Sequence, residues 1–98
     1  SLLSGGIDSA LIAWALSRIG ADVTLFTVST PGDPADESPA AAETARLLGV
    51  PHQVVALDPR RQPALDDVVE AYGEPFACSS ALGMLQVSQA VKPKATVL

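Results

Sequence analysis

The chain has 98 residues, of which 48% are hydrophobic and 17% charged, and its formal net charge is -5. That is a globular composition of one domain's length, without the charge-rich or low-complexity tracts that keep chains disordered. Its six cationic side chains, Arg18, Arg46, Arg60, Arg61, Lys92 and Lys94, are scattered and form no stripe for a phosphate backbone, which excludes duplex nucleic acid as an expected partner.

Leu2 and Leu3 read as a short strand that runs directly into Gly5 and Gly6. Residues 9–19 are nearly all apolar apart from Ser17 and Arg18, and Gly20 stands where a helix needs a left-handed terminating residue, so a buried helix is expected there. "DVTLFTVS" (22–29) is β-branched and aromatic with apolar residues on both alternating faces, the pattern of a strand covered on two sides. "STPGDPADES" is a loop rich in acid, proline and glycine; Ser38 as cap and Pro39 as first helical residue open a second helix ending at Leu48 and Gly49. "HQVVAL" is a third short strand, ended by Asp58 and Pro59. Pro63 opens a helix whose Leu65, Val68, Val69 and Tyr72 share one face and which Gly73 closes. "GEPFACSS" is a loop, Ser79 or Ser80 caps a last helix through Val91, and "KPK" turns into a final strand, "KATVL".

Strands alternating with helices in this order imply right-handed crossovers, hence an α/β fold with a parallel sheet and helices on both faces. One domain over residues 1–98 is expected, without repeats or linkers. Because the chain starts inside one strand and stops inside another, it is expected to be a piece cut from a longer protein at both ends. Cys78 is the single cysteine, so no internal disulfide or cysteine metal cluster forms, in keeping with a reducing, cytoplasmic setting. No apolar run reaches the roughly 18 residues of a membrane span, and the first residues lack the charged start and cleavage pattern of a secretory leader. Neither a membrane nor a nucleic acid is expected as a partner.

In such a sheet, ligands bind beyond the carboxyl ends of the strands, where the loop after the first strand commonly lies. Gly5 and Gly6 let backbone N–H groups approach an anion, the following helix aims its positive end at the same point, and Ser4 and Ser9 add hydroxyl donors. Asp8 would repel a phosphate unless a cation lies between, and Mg²⁺, with its preference for oxygen ligands and phosphates, resolves the conflict. The loop is neither Gly-x-x-x-x-Gly-Lys-[Ser/Thr] nor Gly-x-Gly-x-x-Gly.

Ser4-Gly5-Gly6-Ile7-Asp8-Ser9 resembles the Ser-Gly-Gly-x-Asp-Ser pyrophosphate loop of the ATP pyrophosphatases. Fixed positions each matched by chance about once in fifteen give on the order of one accidental hit per million start points. "DESPAAAETARLLGVPH" (36–52) is similar to the segment after the second strand of asparagine synthetase domains of the glutamine-hydrolysing type, and "GEPFACSSAL" (73–82) to their Glu-Pro-Phe-Ala loop. The resemblance covers nearly the whole chain and implies a Rossmann-like, three-layer adenine nucleotide α-hydrolase fold. It implies an enzyme that uses ATP to adenylate a small-molecule or peptide carboxylate, releases pyrophosphate, and passes the acyl group to ammonia or an amine.

Position by position, the resemblance implies that Ser4, Gly5, Gly6, Asp8 and Ser9 surround the pyrophosphate, that Leu2 and Val28 meet adenine, and that Asp8 helps hold Mg²⁺. It assigns no catalytic residue within the chain. It places a second acidic, glycine-rich motif beyond Leu98 and a glutaminase domain in the parent chain, so residues 1–98 alone are expected to be inactive. Many asparagine synthetases continue the Glu-Pro-Phe-Ala loop with Asp-Pro-Ser, whereas here Cys78 and Ser79 stand in place of Asp and Pro, and Gly83 where a second Pro is common. The acyl substrate thus stays open between aspartate and the carboxylates of relatives that close β-lactams or lasso peptides. A non-catalytic ATP- or AMP-binding module and a tRNA-modifying adenylating enzyme are further alternatives.

Simpler roles stand beside these. Asp8 also reads as a helix N-cap, His52 as a structural or solvent-facing histidine, and Cys78 as a small loop residue without a histidine to activate it. Trp14, Phe26 and Tyr72 read as core. Asp33, Asp36 and Glu37 read as a solvated acidic loop near the nucleotide edge.

Overall fold

The computed structural model describes residues 1–58, 60–61, 63–74, 78 and 80–96. The elements in chain order are α1 (Ile7–Arg18), β1 (Leu25–Ser29), α2 (Ser38–Leu48), β2 (His52–Ala56), α3 (Leu65–Tyr72) and α4 (Ala81–Val91). The chain divides into two compact units, Ser1–Ala56 and Leu57–Thr96. No helix among the described residues is long and apolar enough to cross a membrane.

In the first unit β1 and β2 pair in parallel, with Leu25 opposite His52 and Ser29 opposite Ala56. Parallel neighbours need a crossover, and α2 supplies it. The expected first strand is reduced to a single parallel bridge between Leu2 and Phe26, in which Leu3 N–H donates to the Phe26 carbonyl and Phe26 N–H to the Ser1 carbonyl, each at 2.8 Å. It goes no further because the groups the next rung needs are taken: the Leu3 carbonyl accepts the Thr27 hydroxyl, and the Gly5 N–H goes to Glu37 Oε2. The bridge lies on one side of β1 and β2 on the other, so both crossovers step the same way, and their right-handedness sets α1 and α2 on one face.

That face carries the core. Leu3, Ala13, Leu25, Ala41 and Ala45 form one buried cluster, with Val23, Leu48 and Val50 packed against it. The alanines of α2 let its backbone come close to the sheet, and Leu25 of β1 packs among them. Leu25, Phe26 and Thr27 are consecutive and only 0%, 3% and 2% exposed, so β1 is covered on both faces, as its sequence pattern implies.

The helix ends follow local chemistry. Gly49 closes α2 at φ +67°, and Gly20, just past α1, has φ +66°. Gly6, with extended backbone, is the N-cap of α1, so the helix begins at Ile7 and not at Ser9. Ser38 is likewise inside α2 and not its cap. Glu37 holds the cap position, while the Asp36 carboxylate accepts the Ser38 N–H at 2.8 Å.

Burial corrects the reading of α1. Only Ala13 of that helix is buried, and Ile7, Leu11, Ile12 and Trp14 are exposed. Its small face meets the core, while Ile7, Leu11 and Trp14 line an open apolar groove with Leu47 of α2. Trp14, at 52% exposure, is therefore not a core residue, and Tyr72 at 43% is not one either, whereas Phe26 is.

In the second unit α3 and α4 pack together, with Val68, Ala81 and Val91 buried. The Asp67 carboxylate accepts the Ala64 N–H at 2.7 Å at the start of α3, and Gly73 ends it at φ +79°. Ser80, one of the two serines expected to cap the last helix, is its N-cap by backbone position, without a side-chain cap bond. After α4 the Lys94 and Ala95 N–H groups turn back to the Val91 carbonyl, so residues 94–96 of the expected final strand are not extended. Val97 and Leu98 lie outside the described residues, as do Pro59, Ser79 and the Pro75, Phe76 and Ala77 positions of the "GEPFACSS" loop.

Candidate functional site

The loop from Ser4 to Ser9 leaves the sheet immediately after the Leu2 bridge and feeds α1. Its glycines are not needed for a left-handed turn, since neither has positive φ. Close approach explains Gly5. A Cβ there would stand 3.3 Å from the Cβ atoms of both Glu37 and Ala40, so the loop backbone rests against the first turn of α2. A Cβ on Gly6 would press at 3.3 Å on Ser4 Oγ.

The two hydroxyls expected in the site meet, with Ser4 Oγ and Ser9 Oγ 2.9 Å apart. Ser9 Oγ accepts the Ser4 N–H at 3.0 Å, and Ser4 Oγ accepts the Gly6 N–H at 3.1 Å. The Gly5 N–H donates to Glu37 Oε2 at 3.0 Å. All three loop amides are thus held by side-chain oxygens, which an incoming anion can replace. Backbone carbonyls locked in secondary structure could not be displaced so readily.

At the head of α1 the N-cap contributes no side-chain bond, so the first turn keeps its unpaired N–H groups and the positive end of the helix dipole directed at the loop. Asp8 lies in this first turn and not at the cap, and it is exposed. Arg18 is the only basic side chain among residues 1–45, and it sits at the far end of α1. Within this stretch, the groups that face the loop are amides, hydroxyls and the helix end.

No group of three or more His, Cys, Asp or Glu side chains gathers as a metal cage among the described residues. A single exposed carboxylate such as Asp8 would suit Mg²⁺, which keeps several waters and binds through one or two carboxylates plus phosphate oxygens.

Leu2 and Val28 are brought to one face. Leu2 is bridged to Phe26, and Val28 lies two residues further along β1, so all three point the same way. This is the face opposite Leu3 and Leu25, away from α1 and α2.

The acidic loop is closer to the site than its solvated appearance in sequence implies. The Ser29 hydroxyl, at the carboxyl end of β1, donates to Asp36 Oδ2. That bond first, and the Ser38 N–H second, hold the Asp36 carboxyl below the usual carboxylate range. Asp33 only closes its own turn, accepting the Ala35 N–H at 2.8 Å. Glu37 is the residue that sequence reasoning left out of the site. Its one available signal was its place in the loop after the second strand, beside the nucleotide edge.

Other polar groups pair away from the loop. Thr27 Oγ1 donates to the Leu3 carbonyl at 2.7 Å, so its oxygen accepts from His52 Nε2–H at 2.8 Å, which fixes the tautomer. Burial lowers the His52 pKa. Cys78 is exposed, and the Ser80 hydroxyl 3.2 Å from its Sγ holds the thiol below its usual range.

Comparison with known proteins adds to this geometry. The chain is 33% identical over 78 residues to the "tRNA-specific 2-thiouridylase MnmA" of Trichlorobacter lovleyi, a match over 71% of this chain and 21% of that protein. A crystal structure described as a "predicted subunit of tRNA methyltransferase" from Methanocaldococcus jannaschii superposes with a TM-score of 0.65 at 28% identity, covering 99% of this chain and 48% of that one. The chain therefore spans 21% of the curated relative and 48% of the solved structure. The family model for asparagine synthase matches residues 1–98. A Ser-Gly-Gly-x-Asp-Ser loop set between a parallel sheet and a helix head, within a match that runs from the first residue to the last, makes the chain a member of the asparagine synthase family.

Proposed function

We propose that this chain is the amino-terminal, nucleotide-binding part of an ATP-dependent, amide-forming synthetase domain of the asparagine synthetase type. The observation that carries the reading is the convergence of the Ser4 and Ser9 hydroxyls, the Gly5 and Gly6 amides and the uncapped head of α1 on one loop. In the reaction a carboxylate oxygen attacks the α-phosphorus of ATP, the bond from that phosphorus to the β-bridging oxygen breaks, and pyrophosphate leaves. Ammonia, supplied by a glutaminase domain of the parent chain, or an amine then attacks the acyl carbon and AMP departs.

The chain's own residues bind and orient. The amides and hydroxyls of residues 4–9 hold the β- and γ-phosphates and stabilise charge that grows as pyrophosphate leaves, an electrostatic task that needs no covalent help. Leu2 and Val28 give the adenine ring an apolar seat. Mg²⁺ beside Asp8 would supply charge neutralisation on the phosphates.

Calorimetric titration of the intact protein with ATP and Mg²⁺ tests the site against a variant carrying Asp8→Asn and Gly6→Val. Affinity is expected to fall at least about tenfold, since a charge-assisted contact is worth roughly 1.5–3 kcal/mol. Equal affinities would remove the proposed site.

A second reading draws on the two relatives, whose descriptions both name tRNA. In it the same adenylation is directed at a tRNA base. The net charge of -5 weighs against it, because this chain offers RNA little cationic surface. ATP–pyrophosphate exchange stimulated by tRNA and not by aspartate or another carboxylate would select it.

A further inference from the structure

We propose that the Glu37 carboxylate is a resident anion of the glycine loop, holding the Gly5 N–H until a polyphosphate displaces it. The inference rests on the nucleotide-binding reading above and names the residue that tunes that site's affinity.

Glu37 occupies the N-cap position of α2, where a side chain usually turns back to its own helix, yet it makes no side-chain cap bond. Its Oε2 reaches across to Gly5 instead, at 3.0 Å. The reach is possible because Gly5 has no Cβ, whose place would lie 3.3 Å from Glu37 Cβ. The backbone on which Glu37 stands is anchored, since Asp36 is bonded to the Ser29 hydroxyl and to the Ser38 N–H. Its carboxylate, by contrast, is exposed and has no ion-pair partner among the described residues.

A single N–H cannot serve a carboxylate and a phosphate oxygen together, and two anions side by side repel. A phosphate carries more charge, and the first turn of α1 offers it further donors that Glu37 does not use. The carboxylate therefore swings out on its rotatable bonds when nucleotide arrives. While it stays, it keeps the loop ordered and lowers affinity for any weaker anion.

The experiment uses the intact protein with Glu37→Gln and Glu37→Ala. Amide exchange at Gly5 without ligand is measured first, followed by titration with inorganic pyrophosphate free of divalent cations and with ATP plus Mg²⁺. Gly5 is expected to exchange about tenfold faster in Glu37→Ala, and both variants are expected to bind pyrophosphate about tenfold more tightly, the scale of one charge-assisted hydrogen bond. Unchanged Gly5 exchange overturns the inference, as does equal pyrophosphate affinity in wild type and variants. Weaker binding confined to the Mg²⁺ titration also overturns it, by making Glu37 a cation ligand. Failure of wild type and both variants to bind either anion is a different result: it removes the nucleotide-binding reading, and the inference with it.

Discussion

Thr27→Val asks whether one hydroxyl ties the sheet together beneath the loop. Thr27 is 2% exposed and Leu3 is 3% exposed. The Thr27 hydroxyl donates to the Leu3 carbonyl and accepts from His52, joining the amino-terminal bridge, β1 and β2. Valine has nearly the same shape, so no cavity forms, but the Leu3 carbonyl is left buried without that donor. An orphaned buried acceptor costs about 1–3 kcal/mol, and His52, being half-buried, recovers part of its loss from water. A loss of about 2 kcal/mol is roughly thirtyfold in the folded-to-unfolded ratio, and with a urea slope of about 1–2 kcal/mol per molar it lowers the midpoint by about 1–2 M. Thr27→Ser keeps the hydroxyl and removes a methyl worth about 0.8 kcal/mol. Urea unfolding of the intact protein, followed by circular dichroism, should thus rank wild type above Ser and Ser above Val. If Val proves more stable than Ser, methyl packing and not the hydroxyl is what matters, and the reasoning fails.

Two other outcomes follow from the same structure. Burial lowers the His52 pKa, so the folded chain resists a proton that the unfolded chain accepts near the ordinary imidazole value of about 6.5. This contribution to stability is fully present above that value and is lost as the pH falls through it toward the folded pKa. The urea midpoint of wild type is expected to drop between pH 7.5 and pH 5.5 more than that of His52→Gln, and equal drops would assign the dependence to other groups. Gly5→Val places branched carbons where even a Cβ already meets Glu37 and Ala40 at 3.3 Å, so overpacking of about 1–3 kcal/mol should lower the midpoint and weaken ATP binding together. Unchanged ATP affinity in that variant would separate the loop's packing from its ligand.

The helix ends were legible because they depend on neighbours in sequence. Gly20, Gly49 and Gly73 were each placed at a terminus, and each has positive φ there. Ser4 and Ser9 lie five positions apart across a short loop, near enough in sequence for their shared place to be read there. The partner of the Gly5 amide was not, because Glu37 is 32 residues away and no local pattern encodes that distance. Thr27 and His52 meet across 25 residues for the same reason. Trp14 and Tyr72 show another gap: hydrophobicity along a helix tells which side chains prefer to leave water, but only packed neighbours decide whether they do. The first strand shortened to one bridge because the Leu3 carbonyl and the Gly5 amide, which the next rung needs, are engaged by the Thr27 and Glu37 side chains.

Gly5 and Ala40 each present minimal bulk at the point where the loop touches α2. Ala41 and Ala45 of that same helix are buried in one cluster with Leu3 and Leu25 of the sheet. Loop and helix are therefore in direct contact: added bulk at position 5 must displace the first turn of α2 by a few tenths of an ångström. A bulkier side chain at position 40 would press on the loop just as one at position 5 would press on the helix, so the space at this contact is shared by two elements far apart in the chain.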